Sequence, residues 1–108
     1  MDIALCNEVL GPLPFAAQCD LASRLGYDAL EVAPYTLGVE PRRLTGAEIK
    51  AAGKALRDAG VKLAGLHWLL ISPPGLSITT ADAEKRSETL MVLERLVALC
   101  AEHQPRDA

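Results

Sequence analysis

The sequence predicts an α/β fold of three consecutive βα units on a parallel sheet. Three observations point there. Apolar runs at residues 2–7, 28–33 and 61–70 have the character of strands. A helical pattern with one apolar stripe follows each run. The Pro- and Gly-containing stretches Leu10 to Pro14, Pro34 to Pro41 and Ser72 to Gly75 each come after a strand, where βα loops belong. Strands joined through helices pair in parallel, because a parallel return needs a crossover long enough to hold a helix, and such crossovers are right-handed.

Taken in order, the first strand covers Asp2 to Asn7. The first helix begins at Pro14, a favourable first-turn residue, and runs to Leu25 before Gly26 supplies a left-handed stop. Phe15, Cys19 and Ala22 share one of its faces. The second strand covers Asp28 to Ala33. The second helix opens on Thr45-Gly46-Ala47-Glu48, a capping-box pattern, lines up Ile49, Ala52, Leu56 and Ala59, and ends at Gly60. The third strand runs from Val61 to Leu70. The third helix starts near Thr79 or Thr80, carries Leu90, Leu93, Val97 and Cys100 at helical spacing, and puts Glu84, Lys85, Arg86 and Glu88 on solvated positions.

Composition narrows the class. Half of the 108 residues are apolar but only 4% are aromatic, so the core of this single domain is aliphatic and the chain as a whole is not disordered. With 11 Lys and Arg against 14 Asp and Glu, and no basic run longer than Arg42-Arg43, there is no electrostatic footprint for nucleic acid or an anionic membrane. The start, Met1 to Glu8, lacks a basic region and a long apolar run, and no later stretch is long enough for a membrane span; the expected location is cytoplasmic. Cys6, Cys19 and Cys100 are an odd, widely spaced set embedded in apolar sequence, expected as reduced, packed thiols rather than a disulfide framework or a zinc site.

Strand alternation sorts the polar residues. In the first strand Ile3, Leu5 and Asn7 oppose Ala4, Cys6 and Glu8. In the second, Leu30 and Val32 oppose Ala29, Glu31 and Ala33. In the third, Gly65 and His67 oppose Ala64, Leu66 and Trp68. With bulky residues toward the helices, Glu8, Glu31 and His67 fall together on the other side, near strand C-termini. A carboxylate on an enclosed face is costly unless paired, hydrogen-bonded or metal-bound, so this gathering favours function over a tied-down structural Glu31 and a core His67. Tyr35 and Trp68 lie beside these positions as apolar walls for a small ligand, or as plain packing. Ser72, Ser77, Thr79 and Thr80 read as helix-start caps, and His103 as a solvated residue in a polar tail.

Two architectures compete. A flavodoxin-like or Rossmann-like domain places a Gly-rich phosphate cradle after its first strand; here the stretch Asn7 to Pro14 holds one glycine followed by Pro12 and Pro14, which lack backbone donors. That disfavours a small nucleotide-binding domain. A (β/α)8 barrel instead carries its sites on loops at the C-terminal ends of its strands.

Three segments, Ile3-Ala4-Leu5-Cys6-Asn7-Glu8, the stretch Leu25-Gly26-Tyr27-Asp28-Ala29-Leu30-Glu31-Val32-Ala33-Pro34, and Ala59-Gly60-Val61-Lys62-Leu63-Ala64-Gly65-Leu66-His67-Trp68, together resemble the sugar phosphate isomerase/epimerase family with the xylose-isomerase-like TIM-barrel fold. The middle segment is the most telling, and the similarity covers roughly residues 2 to 100. The resemblance implies a divalent-metal-assisted isomerisation or epimerisation of a sugar-like carbonyl compound. It matches Glu31 to the family's acidic second-strand residue and His67 to the histidine ending the third strand, which meets substrate in sugar-converting members and ligates zinc in the related apurinic endonuclease branch. Glu8, Glu31, His67 and Trp68 are thus the expected substrate-binding residues, with His67 also a possible metal ligand.

A complete barrel takes about 250 residues, and this chain supplies three of eight units. The expectation is therefore a partial TIM barrel, residues 1–108 being the N-terminal part of a truncated domain. The main metal ligands and acid/base carboxylates of such enzymes come from later strands, so no catalytic residue is assigned, no cofactor is assured for this chain, and inactivity alone is expected. A non-catalytic module that self-associates or pairs with a complementary barrel fragment through its open strand edges is the alternative.

Overall fold

A computed structural model describes residues 2–37, 40–71 and 73–103. Its strands are β1 (Ala4–Cys6), β2 (Ala29–Val32) and β3 (Lys62–Leu66), and its helices are α1 (Phe15–Arg24), α2 (Gly46–Ala59) and α3 (Ala83–His103). Short 3-10 turns occupy Asn7–Leu10, Pro34–Leu37 and Pro41–Arg43. The strands form one parallel sheet in the order β1-β2-β3, an open layer rather than a closed barrel, with the βα alternation of a partial TIM-barrel-like fold. Among the described residues no helix is long and apolar enough to cross a membrane.

Local chemistry accounts for the elements. Asp28 joins the first two strands twice: its carboxylate accepts from the Ile3 amide at 2.7 Å and its own amide donates to the Ile3 carbonyl at 2.9 Å. α1 starts after Pro14 and stops before Gly26, whose φ of +90° suits only a residue without a Cβ. At α2, Thr45 Oγ1 accepts from the Glu48 amide at 3.1 Å, one half of the anticipated capping box, and Gly60 closes the helix in the left-handed region. The core joins Cys19 and Ala22 of α1, Leu30 and Val32 of β2, Leu56 of α2, and Val61 and Leu63 at β3. A smaller cluster of Leu44, Ile49 and Leu99 fastens α3 alongside. Burying such aliphatic groups contributes about 1.5–3 kcal/mol for each large side chain.

Several expectations are corrected. The third strand ends at Leu66, not Leu70, because the chain turns sharply at Trp68, whose φ is +56°. α3 starts at Ala83, not near Thr79 or Thr80: Thr80 Oγ1 accepts from the Asp82 amide, and Asp82 Oδ1 accepts from the Glu84 amide at 2.9 Å, so local side-chain bonds hold a turn before the helix. Its buried stripe is Thr89, Val92, Leu96 and Leu99, with Leu90 and Val97 exposed. This stretch of α3 is apolar nearly all round, so periodicity alone does not fix which side faces inward. Thr89 is satisfied there, donating to the Lys85 carbonyl at 2.8 Å and accepting from the Ser77 amide at 3.0 Å. His103 is not a solvated tail residue: it ends α3 with its ring over Gly53 and both ring nitrogens buried. Ser72 lies outside the described residues.

Candidate functional site

The sheet register builds the site. Cys6 pairs with Glu31, and Glu31 with Gly65, giving one row across the three strands on the side away from the helices. Strict alternation from Leu63 would have carried His67 onto the core side. A bulge prevents this: Leu30 pairs with Leu63 but Glu31 with Gly65, so Ala64 is left without a partner and exposed. The expectation that Ala64 shares the helix face with Leu66 is corrected accordingly. Leu63 and Leu66 both pack toward the helices, and His67, its amide bonded to the Val32 carbonyl at 3.0 Å, emerges on the open side.

On that side the imidazole of His67 stands between two carboxylates. Nε2 is 2.8 Å from Glu8 Oε1, and Nδ1 is 3.0 Å from Glu31 Oε1. The two contacts differ in kind. The first is an aligned hydrogen bond, whereas Nδ1 is close to Glu31 without the alignment for one. Cys6 Sγ lies 3.3 Å from Nε2 and 3.4 Å from Glu8 Oε1. The Tyr35 hydroxyl donates a short hydrogen bond to the other Glu8 oxygen, Oε2. The Tyr35 and Trp68 rings stack with centroids 6.5 Å apart, and Trp68 is 60% exposed, so the aromatic pair walls the cluster while remaining open to solvent.

These contacts perturb the titrating groups. The Tyr35 hydroxyl, followed by the His67 ring, holds the Glu8 carboxyl below its ordinary value. Reciprocally, the bond to Glu8 raises the Tyr35 phenol, and burial raises the Cys6 thiol.

A buried amide network fixes Glu8 from behind. Asn7, fully buried, donates through Nδ2 to Gln18 Oε1 at 3.0 Å and to Thr36 Oγ1 at 2.7 Å, and its Oδ1 accepts from the Ala33 amide at 2.9 Å. Thr36 Oγ1 donates onward to the Ala33 carbonyl, and Gln18 Nε2 to the Leu13 carbonyl at 3.0 Å. Every polar group of the Asn7 amide is thereby satisfied, and the turn bearing Glu8 is locked to the loop after β2.

Of the residues anticipated from sequence, Glu8, Glu31 and His67 meet, and Trp68 adjoins them through an edge contact with His67 at 6.5 Å between centroids. Glu8 belongs to the turn Asn7–Leu10, beyond β1. Two participants had not been foreseen in these roles. Cys6 belongs to the cluster rather than to plain packing, a role foreshadowed by its sharing Glu8's strand parity. Tyr35 acts through its hydroxyl as well as its ring, which no sequence spacing signals. Cys6, Glu8 and His67 each present one potential metal-ligand atom, all within 4.8 Å of one another.

No family model matches the sequence, and no curated protein matches it significantly. Among solved structures the chain is similar to a crystal structure of D-psicose 3-epimerase in the presence of D-fructose, with a TM-score of 0.67 and 21% identity, covering 94% of this chain. What the two share is the fold. The chain spans 34% of the length of that epimerase chain.

Proposed function

We propose that this chain is an N-terminal portion of a metal-assisted sugar isomerase or epimerase, residues 1–108 of a xylose-isomerase-like TIM-barrel domain, and that Glu8, Glu31, His67 and Trp68 are its share of the substrate-binding face. The observation that carries this reading is the seating of His67 between Glu8 and Glu31 on the open side of the sheet. The likeness to D-psicose 3-epimerase supports it and suggests a ketose as substrate class. The location in this reading is cytoplasmic, with a small sugar-like molecule rather than nucleic acid or membrane as partner.

In such chemistry a carboxylate takes a proton from the carbon beside a carbonyl, and the divalent metal, when bound, stabilises the developing oxyanion. By the resemblance, that metal's main ligands and the acid/base carboxylates come from later strands. The residues of this chain bind and orient. Glu8 and Glu31 accept hydrogen bonds from sugar hydroxyls, the His67 ring is hydrogen-bonded to Glu8 and faces Glu31, and Trp68 offers an apolar face beside them. The left-handed backbone of Trp68 is costly for a bulky residue, and such strain clusters at ligand-binding positions.

The test is titration of the purified chain with a ketohexose, followed by nuclear magnetic resonance of the Trp68 indole and the His67 ring. Both signals should move, and His67→Ala should abolish the response. An absence of shifts at all four residues at saturating sugar would remove the site assignment. The chain alone should give no epimer, so metal-dependent turnover by it would overturn the expected inactivity.

A second reading is a non-catalytic module that self-associates or pairs with a barrel fragment. It is favoured by the two edge strands, β1 and β3, which carry no outer strand partner among the described residues, and by exposed Ile3 next to one of them. A monodisperse, cooperatively unfolding monomer in sedimentation and thermal melts would count against it.

A further inference from the structure

We infer that Cys6, Glu8 and His67 form a zinc site of this chain's own, with Glu31 and Tyr35 as the groups that orient its ligands. The inference uses the cluster described above but not the epimerase reading, and it holds whether or not the chain handles sugars.

The donor set comes first. One thiol sulfur, one carboxylate oxygen and one imidazole nitrogen converge, and three mixed S, O and N ligands with a fourth position left over are a pattern that zinc adopts. Magnesium and calcium prefer all-oxygen shells, so a thiolate ligand selects against them. Thiolate and carboxylate together balance the charge of one Zn(II), and the thiol proton passes to solvent on binding.

Distance is the second argument. A tetrahedral zinc with Zn–S near 2.3 Å and Zn–N and Zn–O near 2.0–2.1 Å separates its ligand atoms by about 3.4–3.6 Å. Here the sulfur stands 3.3 Å from Nε2 and 3.4 Å from Oε1, while Nε2 and Oε1 are 2.8 Å apart. Two edges of the triangle are within about 0.3 Å of the required length, and the third opens by about 0.6 Å when its hydrogen bond gives way to two metal bonds.

The surroundings are the third and independent argument. A metal-bound histidine characteristically donates its other ring N–H to a carboxylate, and a ligating carboxylate is itself hydrogen-bonded. Both partners are present. His67 Nδ1 lies 3.0 Å from Glu31 Oε1, and Glu8 Oε2, the oxygen not facing the cluster, accepts from Tyr35. Without metal, a hydrogen on Nε2 serves Glu8 and the buried Nδ1 has no aligned partner. With metal on Nε2, the ring hydrogen belongs on Nδ1, 3.0 Å from Glu31 Oε1, and a small rotation of that half-exposed carboxylate brings it into line to accept. The ring nitrogen without an aligned partner is thus the one that metal on Nε2 turns into a donor facing a carboxylate.

The test uses the intact chain. After treatment with chelator and reductant it is loaded with Zn(II) or Co(II) and dialysed. The expected result is one metal per chain, one sulfur scatterer in X-ray absorption of the zinc form, and a sulfur-to-cobalt charge-transfer band in the Co(II) form. That band should vanish in Cys6→Ala and persist in Cys100→Ser. Glu31→Ala should weaken zinc binding about 10- to 100-fold, with partial recovery in Glu31→Gln. Failure to retain metal, a zinc shell without sulfur, or a band that survives Cys6→Ala would each overturn the site. The absorption measurement needs no variant, so a folding defect in Cys6→Ala leaves the inference decidable, and no arm of the experiment involves a sugar.

Discussion

His67 Nδ1 lies 3.0 Å from Glu31 Oε1 although His67 sits just past the end of β3 and simple alternation from Leu63 would carry it to the side opposite Glu31. The bulge at Ala64 reconciles a buried Leu63 with an outward His67. Deleting Ala64 should therefore be tolerated: Leu63, Gly65, Leu66 and His67 would alternate in, out, in and out along a regular ladder. We expect a loss of under about 2 kcal/mol in denaturant unfolding and a preserved His67 to Glu31 contact in nuclear Overhauser spectra. Loss of cooperative unfolding would show that the bulge is required rather than absorbed.

The Glu8 carboxyl responds to pH in a defined direction. Tyr35 and then His67 hold it below its ordinary value near 4.5, so on acidification the unfolded chain takes up this proton before the folded one does. Its stabilising contribution is present above the unfolded value and is lost as pH falls through the folded value. Tyr35→Phe removes the larger cause, so the carboxyl should titrate higher, as read by carbon-detected resonance, and the acid limb of Tm against pH should become shallower. The Tyr35 phenol is raised above 10 by the same bond; its contribution is complete below the unfolded value and fades as pH rises through the folded one, and Glu8→Gln should bring its ultraviolet titration back down. Unchanged titrations in both variants would dissolve the pairing.

Much of this arrangement was legible in the sequence because it depends on short-range rules. Gly26 and Gly60 mark helix ends, Thr45 marks a helix start, and the apolar runs alternating with helical stripes give the parallel order. Parity brought Glu8, Glu31 and His67 to one side, although the bulge that makes this true for His67 is a tertiary compromise invisible in Leu63-Ala64-Gly65. What escaped depended on long-range contact. The face of α3 was off by one position, because Leu90, Met91, Val92, Leu93, Leu96 and Val97 leave almost no polar side to orient it. His103 reads as solvated from its polar neighbours because its docking over Gly53 joins residues far apart in sequence. Cys6 looked like a packing thiol because its partners, Glu8 apart, are distant in sequence.

Asn7 is the hub of the network behind the site, so truncating it has more consequences than the loss of one bond. Asn7→Ala strands the Gln18 side-chain oxygen and the Ala33 amide in the interior, and it removes a donor from Thr36. Unmet buried polar groups of this kind cost about 1–3 kcal/mol each, so we expect a loss of roughly 2–4 kcal/mol by denaturant melts. Glu8 should also lose its fixed position, and its titration should approach the ordinary value. A change below about 0.5 kcal/mol would mean that water replaces the amide without penalty.

The docking of α3 on α2 can be tested at one glycine. A Cβ at Gly53 would overlap His103 Cε1 and Nδ1, closer than atoms can approach, so Gly53→Ala must displace the imidazole. In a helix interior alanine is otherwise preferred to glycine by about 1 kcal/mol. The two effects oppose each other, and the histidine decides the sign. With His103 in place, Gly53→Ala should be neutral or destabilising, because the ring is expelled and its packing is lost. In a His103→Ala background the same change should stabilise by up to about 1 kcal/mol, since the helix preference is then opposed only by the tip of the flexible Arg57 side chain, 3.2 Å from the new Cβ. The double-mutant cycle of chemical denaturation isolates this coupling. Additive effects would indicate that the His103 ring moves aside freely and that the end of α3 is not held by this contact.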